Sequence, residues 1–291
     1  MLGEVLTAIV TPFKEDGSVD YDGFRRLCAY LVDHGSDGLV VSGTTGESPT
    51  LTDLEKLELF RAAVETVGGR ATVIAGTGSN DTAHSVHLTR EADEIGVDGF
   101  LVVTPYYNKP PPRGIVGHVA TIAAVTDRPI VLYNIPQRVV LNIEPETIAQ
   151  LADIPNVRAV KQATTDPDQA RRIVELGLDL YAGNDDLILP FLEVGGTGGV
   201  FVFTHLVGSQ VKELIRRFKD GDRGGAYAIG RDLEPLIEAL AVTTNPIPIK
   251  AALNLLGHDV GGLRLPLVAA TDDEVAVVRA GLERSGVFAR V

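Results

Sequence analysis

The sequence is poor in cysteine, methionine and aromatic residues, and it has no tryptophan. Among its 291 residues there is one cysteine, Cys28, and one methionine, and aromatic residues make up 5%. A single cysteine excludes an intramolecular disulfide and a zinc site built on several cysteines. It is also typical of proteins that work in a reducing compartment.

Positive charge and long apolar runs are scarce as well. The chain has 26 Lys and Arg residues against 39 Asp and Glu residues, which gives a formal net charge of −13. This balance argues against nucleic acids and anionic membranes as partners. No apolar run reaches the roughly 18 residues of a membrane span, and residues 1–5 lack the basic start of a signal peptide. We therefore expect a cytoplasmic protein.

Short apolar runs that alternate with amphipathic segments dominate the sequence. The runs are nearly continuous, as expected for parallel strands that are buried on both faces of a sheet. Predicted strands span 4–10, 38–42, 71–76, 99–104, 129–134, 157–161, 178–182 and 199–203. Predicted helices span 20–34, 52–67, 81–95, 115–125, 144–151, 168–176, 186–194 and 207–219.

Similar glycine-containing turns precede three of these strands, at 34–38, 95–99 and 194–199. Such repetition of a helix, a turn and a strand predicts an α/β fold, a (β/α)₈ TIM barrel spanning 1–223. A doubly wound open sheet is the alternative, but no dinucleotide-binding glycine pattern follows the first strand. Residues 224–291 lack a clear strand, so we expect a C-terminal extension of about three helices outside the barrel.

Two residues at predicted strand ends suggest chemistry, because active sites of such barrels lie at the carboxyl ends of the strands. Lys161 ends the sixth strand. It is either an ordinary solvated charge or an amine in a dry site, where it can attack a carbonyl carbon. Tyr133 lies near the end of the fifth strand. It is either part of the core or a proton shuttle that faces the lysine.

Other strand ends carry groups that suit a carboxylate. Thr44 and Thr45 lie between glycines after the second strand. They form either an ordinary polar turn or a site whose hydroxyl and N–H groups donate to a carboxylate. Arg138 follows the fifth strand. It is either an ordinary surface charge or a bidentate anchor for a carboxylate. Tyr106 and Tyr107 follow the fourth, and adjacent residues rarely both face one pocket. Together these strand ends predict a carbonyl site with an amine, a proton relay and a carboxylate anchor.

Two further groups carry weaker signals. His84 and His87 lie three residues apart on a predicted helix and could share a face as metal ligands, but no third ligand is nearby. A solvated helix face is the alternative, and we expect no metal site. Residues 184–186 end the seventh strand, where capping of a helix competes with a contact to substrate.

These residues, in this order, resemble the dihydrodipicolinate synthase family of lysine-type pyruvate aldolases over almost the whole chain. Residues 43–47 and Lys161 are similar to the wider superfamily, which includes N-acetylneuraminate lyase and 2-keto-3-deoxygluconate aldolase. The segments that resemble the synthases themselves are 104–108, 133–138, 245–250 and 263–266. Arg138, after Tyr-Asn-x-Pro, is the most informative of these features.

The resemblance implies a lyase that condenses pyruvate with L-aspartate-4-semialdehyde to give 4-hydroxy-tetrahydrodipicolinate, a step of diaminopimelate and lysine biosynthesis. It implies no metal or organic cofactor, because a lysine Schiff base is itself the electron sink. It also implies a homo-oligomer, usually a tetramer. The implied roles are the Schiff base at Lys161, proton transfer by Tyr133, Thr44 and a neighbouring subunit's Tyr107, and substrate binding by Thr45, Val200, Arg138 and Gly183.

Three departures from the family pattern are visible. Phe201 and Phe203 stand in the eighth strand, where a small serine is common, and they could crowd the site or repack the barrel. Asn184 stands where an aspartate is common. The third departure is at positions that bind lysine in feedback-inhibited members, which here are Ser48, Asn80, Tyr106, Lys56 and His84.

A histidine and a glutamate would be usual in place of Lys56 and His84. Because that glutamate would pair with the ammonium of the effector, we expect weak or absent inhibition by lysine. Two other functions remain open from the sequence. One is a sister aldolase or dehydratase that acts on a keto-deoxy sugar acid, and the other is a non-catalytic barrel that binds a keto acid.

Overall fold

A computed structural model describes residues 2–288 of the chain. Eight parallel strands close into a barrel in sequence order, and β1 pairs with both β2 and β8. The predicted (β/α)₈ barrel is therefore confirmed. The strands are β1 (Val5–Ala8), β2 (Gly38–Val41), β3 (Thr72–Gly76), β4 (Gly99–Val103), β5 (Ile130–Asn134), β6 (Val157–Gln162), β7 (Asp179–Ala182) and β8 (Gly198–Phe201).

Helices surround the barrel and continue beyond it. Those of the barrel are α1 (Tyr21–Asp33), α2 (Asp53–Val67), α3 (Thr82–Ile95), α4 (Pro112–Ala123), α5 (Pro136–Val139), α6 (Pro145–Ala152), α7 (Pro167–Glu175), α8 (Ile188–Glu193) and α9 (Thr204–Lys219). Three more follow, as predicted, and they are α10 (Arg223–Leu240), α11 (Ile247–Leu255) and α12 (Asp272–Arg284). Within 2–288, no helix combines the length and apolar character that crossing a membrane requires.

Capping residues explain where several helices begin. Thr52 and Glu55 form a reciprocal capping box at the start of α2, and Thr271 and Glu274 form another at α12. Asp20 accepts a hydrogen bond from the N–H of Gly23 and so caps α1. Each cap satisfies a backbone donor that the helix itself leaves free, which typically stabilises the helix by about 1 kcal/mol.

Alternation along the strands separates the barrel interior from the layer between strands and helices. Val200 lies in the interior cluster, together with Tyr133, whereas Phe201 lies in the outer core. On β5 and β6, Asn134 and Gln162 are fully buried and their side chains bond to each other. Because side chains alternate, Tyr133 and Lys161 face the opposite side, toward the interior.

The C-terminal region is tied to the loop after β2 by charged groups. Lys250 of α11 forms a fully buried ion pair with Glu47, 2.7 Å between Nζ and Oε1. Arg264 binds Glu55 at 2.6 Å and donates its backbone N–H to Glu47 at 3.0 Å. The side chains of Lys250 and Arg264 also lie over the ring of Phe13. Residues beyond the barrel thus help to fix the loop that carries Thr44 and Thr45.

The structure corrects three local predictions. The eighth strand ends at Phe201, because Val202 and Phe203 give their N–H groups to Asp185 and turn into α9. The helix predicted at 186–194 is a 3₁₀ turn at Asp185–Leu187 followed by α8. The short helix α5 after β5 was not predicted.

Candidate active site

A cavity of about 1090 Å³ opens at the carboxyl ends of the strands. Six of the predicted site residues line it, namely Thr44, Thr45, Tyr133, Arg138, Lys161 and Gly183. The barrel supplies one wall, and residues of α10 and of the segment before α11 supply another. The cavity is therefore built by both the barrel and the C-terminal helices.

Lys161 and Tyr133 form the inner part of this site. They are register partners on β6 and β5, so their side chains leave the sheet at the same level. The Lys161 Nζ lies 4.2 Å from the centroid of the Tyr133 ring, and both side chains are buried. No side chain or backbone group among residues 2–288 forms a hydrogen bond or ion pair with the Lys161 amine. The amine is thus available to a ligand in the cavity.

Thr44 and Thr45 lie in the turn that follows β2. This turn is tight, because the N–H groups of Gly46, Glu47 and Ser48 donate to carbonyls of Gly43 and Thr44. The Thr45 hydroxyl is buried and accepts a hydrogen bond from Nδ2 of Asn245, at 2.9 Å. A residue of the C-terminal region thus binds the hydroxyl of Thr45 directly.

Arg138 lies on α5, directly beyond β5. Its Nη2 donates to the backbone oxygen of Asn245 at 3.2 Å and to the hydroxyl of Thr244 at 3.4 Å. The guanidinium is therefore held at the cavity wall, with donors left for a carboxylate.

Asp185 adds a carboxylate that faces the same cavity. Its two oxygens accept the N–H groups of Val202 and Phe203, each at 2.9 Å. Burial raises the pKa of Asp185 to about 6, although both N–H groups and the charge of Lys161 oppose this rise. The side chain thus caps the turn into α9 rather than the helix that follows β7.

Gly183 and Val200 differ in their relation to the cavity. A Cβ at Gly183 would lie 2.8 Å from the Cβ of Ala163 and from the backbone oxygen of Gln162, so the close approach of β6 and β7 requires glycine there. Val200 is buried in the barrel interior and does not line the cavity. Val200 is linked to the site through Tyr133, which belongs to the same interior cluster.

The eighth-strand phenylalanines do not fill the barrel interior. Phe201 and Phe203 are fully buried in the outer core, with their rings edge to face at 5.3 Å. Phe203 borders the outer cavity wall, where α9 begins. Phe201 does not line the cavity and packs in the outer core instead.

Tyr107 and Tyr106 lie away from the cavity of their own chain. Tyr107 is 90% exposed and has a positive φ of 71°, and Tyr106 is 36% exposed. Neither residue lines the cavity. A single chain thus does not bring Tyr107 to Lys161.

The predicted effector residues lie on neighbouring elements outside the cavity. His84 of α3 bonds to Asp53 at 2.9 Å, and Lys56 of α2 lies 3.8 Å from the same carboxylate. The backbone oxygen of Asn80 accepts from Asn108, in the loop that carries Tyr106. Ser48 lies in a 3₁₀ turn that precedes α2.

The partner of the His84 side chain is therefore the carboxylate of Asp53 and not the imidazole of His87. In the part of the chain that the structure describes, no group of three His, Cys, Asp or Glu residues could hold a metal ion.

Two residues of the cavity make contacts that the sequence did not predict. Asn245 appeared only as part of a family-like segment, and its contact with Thr45 joins positions 200 residues apart. Asp185 had been considered as a cap, but its target lies in a later loop. Neither contact leaves a periodic or local signal in the sequence.

Comparisons with known proteins agree over nearly the whole chain. A family model described as the Dihydrodipicolinate synthetase family matches residues 1–285. The 4-hydroxy-tetrahydrodipicolinate synthase of Moorella thermoacetica is 51% identical over 289 residues, which cover 98% of this chain and 99% of that protein.

Solved structures give the same result. A dihydrodipicolinate synthase from Cyanidioschyzon merolae, crystallised with lysine bound, is 44% identical and superposes with a TM-score of 0.96 over 98% of this chain and 99% of that one. A structure described as the first monomeric dihydrodipicolinate synthase variant is 41% identical, with a TM-score of 0.95 over 98% and 97%. The chain belongs to the dihydrodipicolinate synthetase family.

Proposed function

We propose that this protein is a lyase that condenses pyruvate with L-aspartate-4-semialdehyde through a Schiff base on Lys161. The observation that carries the proposal is the buried amine of Lys161 in the cavity wall, which lies 4.2 Å from the ring centroid of Tyr133 and has no hydrogen-bond partner among residues 2–288. The names of relatives about 50% identical support this reaction over an aldolase for sugar acids.

The first half of the reaction builds a nucleophile from pyruvate. The neutral amine of Lys161 attacks the keto carbon, and loss of water leaves an iminium. The iminium withdraws electrons, so the methyl group loses a proton and an enamine forms. Tyr133 transfers the protons of these steps, because its ring lies beside the amine. Thr45 holds the pyruvate carboxylate with its hydroxyl and its N–H.

The second half joins the two substrates. The enamine carbon attacks the aldehyde carbon of the semialdehyde, and the new oxyanion takes a proton. The substrate's own amine then attacks the iminium carbon, which closes the ring and releases Lys161. The product is 4-hydroxy-tetrahydrodipicolinate. Arg138 anchors the carboxylate of the semialdehyde from the cavity wall.

Trapping with borohydride tests the proposal. The protein is incubated with pyruvate, reduced, and examined by intact mass and a peptide map. We expect one adduct of reduced-pyruvate mass on Lys161, no adduct in Lys161→Arg, and a normal adduct in the control Lys14→Arg, an exposed lysine outside the cavity. An adduct on another lysine would overturn the proposal. Turnover with the semialdehyde, compared with a panel of keto-deoxy sugar acids, then identifies the acceptor.

We also propose that lysine inhibits this enzyme weakly or not at all. Asp53 is the acid that lies beside Lys56 and His84, and both of these side chains already contact it. Activity measured against lysine concentration tests this, with Lys56→His/His84→Glu as the variant that should gain inhibition. An inhibition constant for lysine below about 1 mM in the unaltered enzyme would contradict the proposal.

A further inference from the structure

We infer that Asn245 is a positioning residue, which turns the Thr45 hydroxyl toward the bound keto acid by donating a hydrogen bond to its oxygen. The inference rests on the proposed function and deepens it. It gives a residue outside the barrel a defined part in binding the first substrate.

The hydrogen bond between Asn245 and Thr45 has a defined direction. The Asn245 Nδ2 lies 2.9 Å from the Thr45 Oγ1, and an amide nitrogen can only donate. Since the Thr45 oxygen accepts this bond, its own hydrogen points elsewhere. Thr45 is buried and lines the cavity that holds Lys161. Its hydroxyl hydrogen is therefore free to bind a carboxylate there.

Asn245 is itself held in place by a hydrogen bond to its backbone. Its backbone oxygen accepts from Arg138 at 3.2 Å, so the same residue touches both proposed carboxylate anchors. Its Oδ1 is buried and, among residues 2–288, has no hydrogen-bond partner. Within the described part of the chain, the contact with Thr45 is thus the one hydrogen bond of the amide side chain, and it is directed into the site.

The orientation of the Asn245 amide decides whether the hydroxyl hydrogen of Thr45 points toward the keto acid or away from it. If the amide were turned over, its oxygen would accept from Thr45 and the hydroxyl hydrogen would point away from the keto acid. Asn245→Asp distinguishes the two cases, because a carboxylate can only accept. The variant forces the hydroxyl to turn toward residue 245.

Steady-state kinetics with pyruvate and the semialdehyde tests the inference on the full-length enzyme. We expect Asn245→Ala to raise the KM for pyruvate by up to about tenfold, the effect of one net hydrogen bond. The KM for the semialdehyde and kcat should change much less, because the backbone oxygen that meets Arg138 remains. Asn245→Asp should raise the KM for pyruvate further than Asn245→Ala does. A KM for pyruvate in Asn245→Asp equal to that of the unaltered enzyme would overturn the inference.

The same substitutions in a Thr45→Val background supply the control. Without the hydroxyl, Asn245→Ala should have no further effect on the KM for pyruvate, and any remaining effect of Asn245→Asp measures its charge alone. Thr45→Ser keeps the hydroxyl and should restore the dependence on Asn245. Equal losses with and without the hydroxyl would show a merely structural role and refute the inference.

Failure of the inference is distinct from failure of the proposed function. If the unaltered enzyme forms the pyruvate adduct and the condensation product but Asn245→Ala leaves the KM for pyruvate unchanged, only the role of Asn245 is wrong. If the unaltered enzyme forms no adduct, the proposed function itself is wrong.

Discussion

Lys161 and Tyr133 show how the register of a parallel sheet can create a reactive pair. Both side chains point into the barrel from neighbouring strands, and their Cα atoms are register partners. Tyr181 is the register partner of Lys161 on the other side, but its hydroxyl donates to the backbone oxygen of Gly3, before β1. Two tyrosines flank the lysine, and one has a hydroxyl that is already bound at the opposite end of the barrel.

This difference gives a paired prediction for the two tyrosines. Tyr133→Phe keeps the ring and removes the hydroxyl, so we expect kcat to fall about 10²–10⁴-fold, the range for loss of a general acid–base group. Tyr181→Phe should leave kcat nearly unchanged and cost only some stability. Steady-state rates and thermal unfolding measure both effects. Comparable losses of kcat in the two variants would contradict the assignment of proton transfer to Tyr133.

We expect the buried ring of His205 to make the stability of the fold depend on pH. It is fully buried, its Nε2 accepts from the N–H of Val10, and its Nδ1 lies 2.7 Å from the backbone oxygen of Val202. Burial lowers the pKa of His205 to about 4, although the Val202 carbonyl opposes this. The neutral ring is therefore the folded form at neutral pH. The unfolded chain takes up a proton near the ordinary value of 6.5, before the folded chain does.

Stability should consequently fall as the pH drops from about 6.5 to about 4, because the unfolded state binds more protons in that window. The full effect of His205 is about 3 kcal/mol, and it is absent above the unfolded pKa. His205→Gln offers an oxygen to Val10 and does not titrate. The difference in denaturant unfolding free energy between the two proteins, followed from pH 8 to pH 5, measures the effect. A constant difference would mean that His205 does not cause the pH dependence.

At the scale of elements, strands were easier to predict than their connections. The strands are buried over most of their length, so most of them leave an apolar run that ends at glycine or a polar residue. The apolar run of β8 continues through Phe203, yet the strand stops at Phe201 because Asp185 takes the next two N–H groups. Likewise, Lys161 and Thr45 were predicted from strand ends, whereas Asn245 required the packing of α11 against the barrel.

The buried pair of Glu47 and Lys250 joins the Thr44–Thr45 turn to α11. Burial lowers the pKa of Lys250 to about 8, while the charge of Glu47 opposes this. Its Nζ also lies 2.6 Å from the backbone oxygen of Gly262. Two buried charges of opposite sign stabilise each other, because removal of one leaves the other buried without a partner, which destabilises the fold.

We expect Glu47→Gln and Lys250→Met each to lower the unfolding free energy by about 3–5 kcal/mol. The double variant should lose much less than the sum, because it leaves no unpaired charge. Urea unfolding of the four proteins gives the coupling energy. Losses that add would mean that the pair does not act as a unit.

At the scale of the whole molecule, the exposed tip of the loop after β4 is the feature that one chain does not explain. Tyr107 is 90% exposed, with a left-handed backbone that costs a bulky residue about 1–3 kcal/mol. Leu54, on α2 two βα units earlier, is exposed as well. Exposed apolar residues of this kind often mark an interface between proteins. We therefore propose that a second copy covers this face and receives Tyr107 in its cavity.

Hybrid oligomers test this arrangement. Lys161→Arg and Tyr107→Phe chains, each of low activity alone, are co-expressed with different tags and purified as mixed assemblies. If Tyr107 serves the neighbouring cavity, the Tyr107→Phe chain keeps its own Lys161 and receives an intact tyrosine from its partner. Each mixed pair then has one complete site, and activity returns.

The control pairs Lys161→Arg with Thr44→Val, because both groups belong to the cavity of one chain. No arrangement of that pair restores a complete site, so its activity should stay low. Recovery in the first hybrid alone means that the active unit is at least a dimer, and light scattering on the same samples gives its size. No recovery in either hybrid would mean that Tyr107 has no part in the partner's cavity, and that the proton relay ends at Thr44 within the chain.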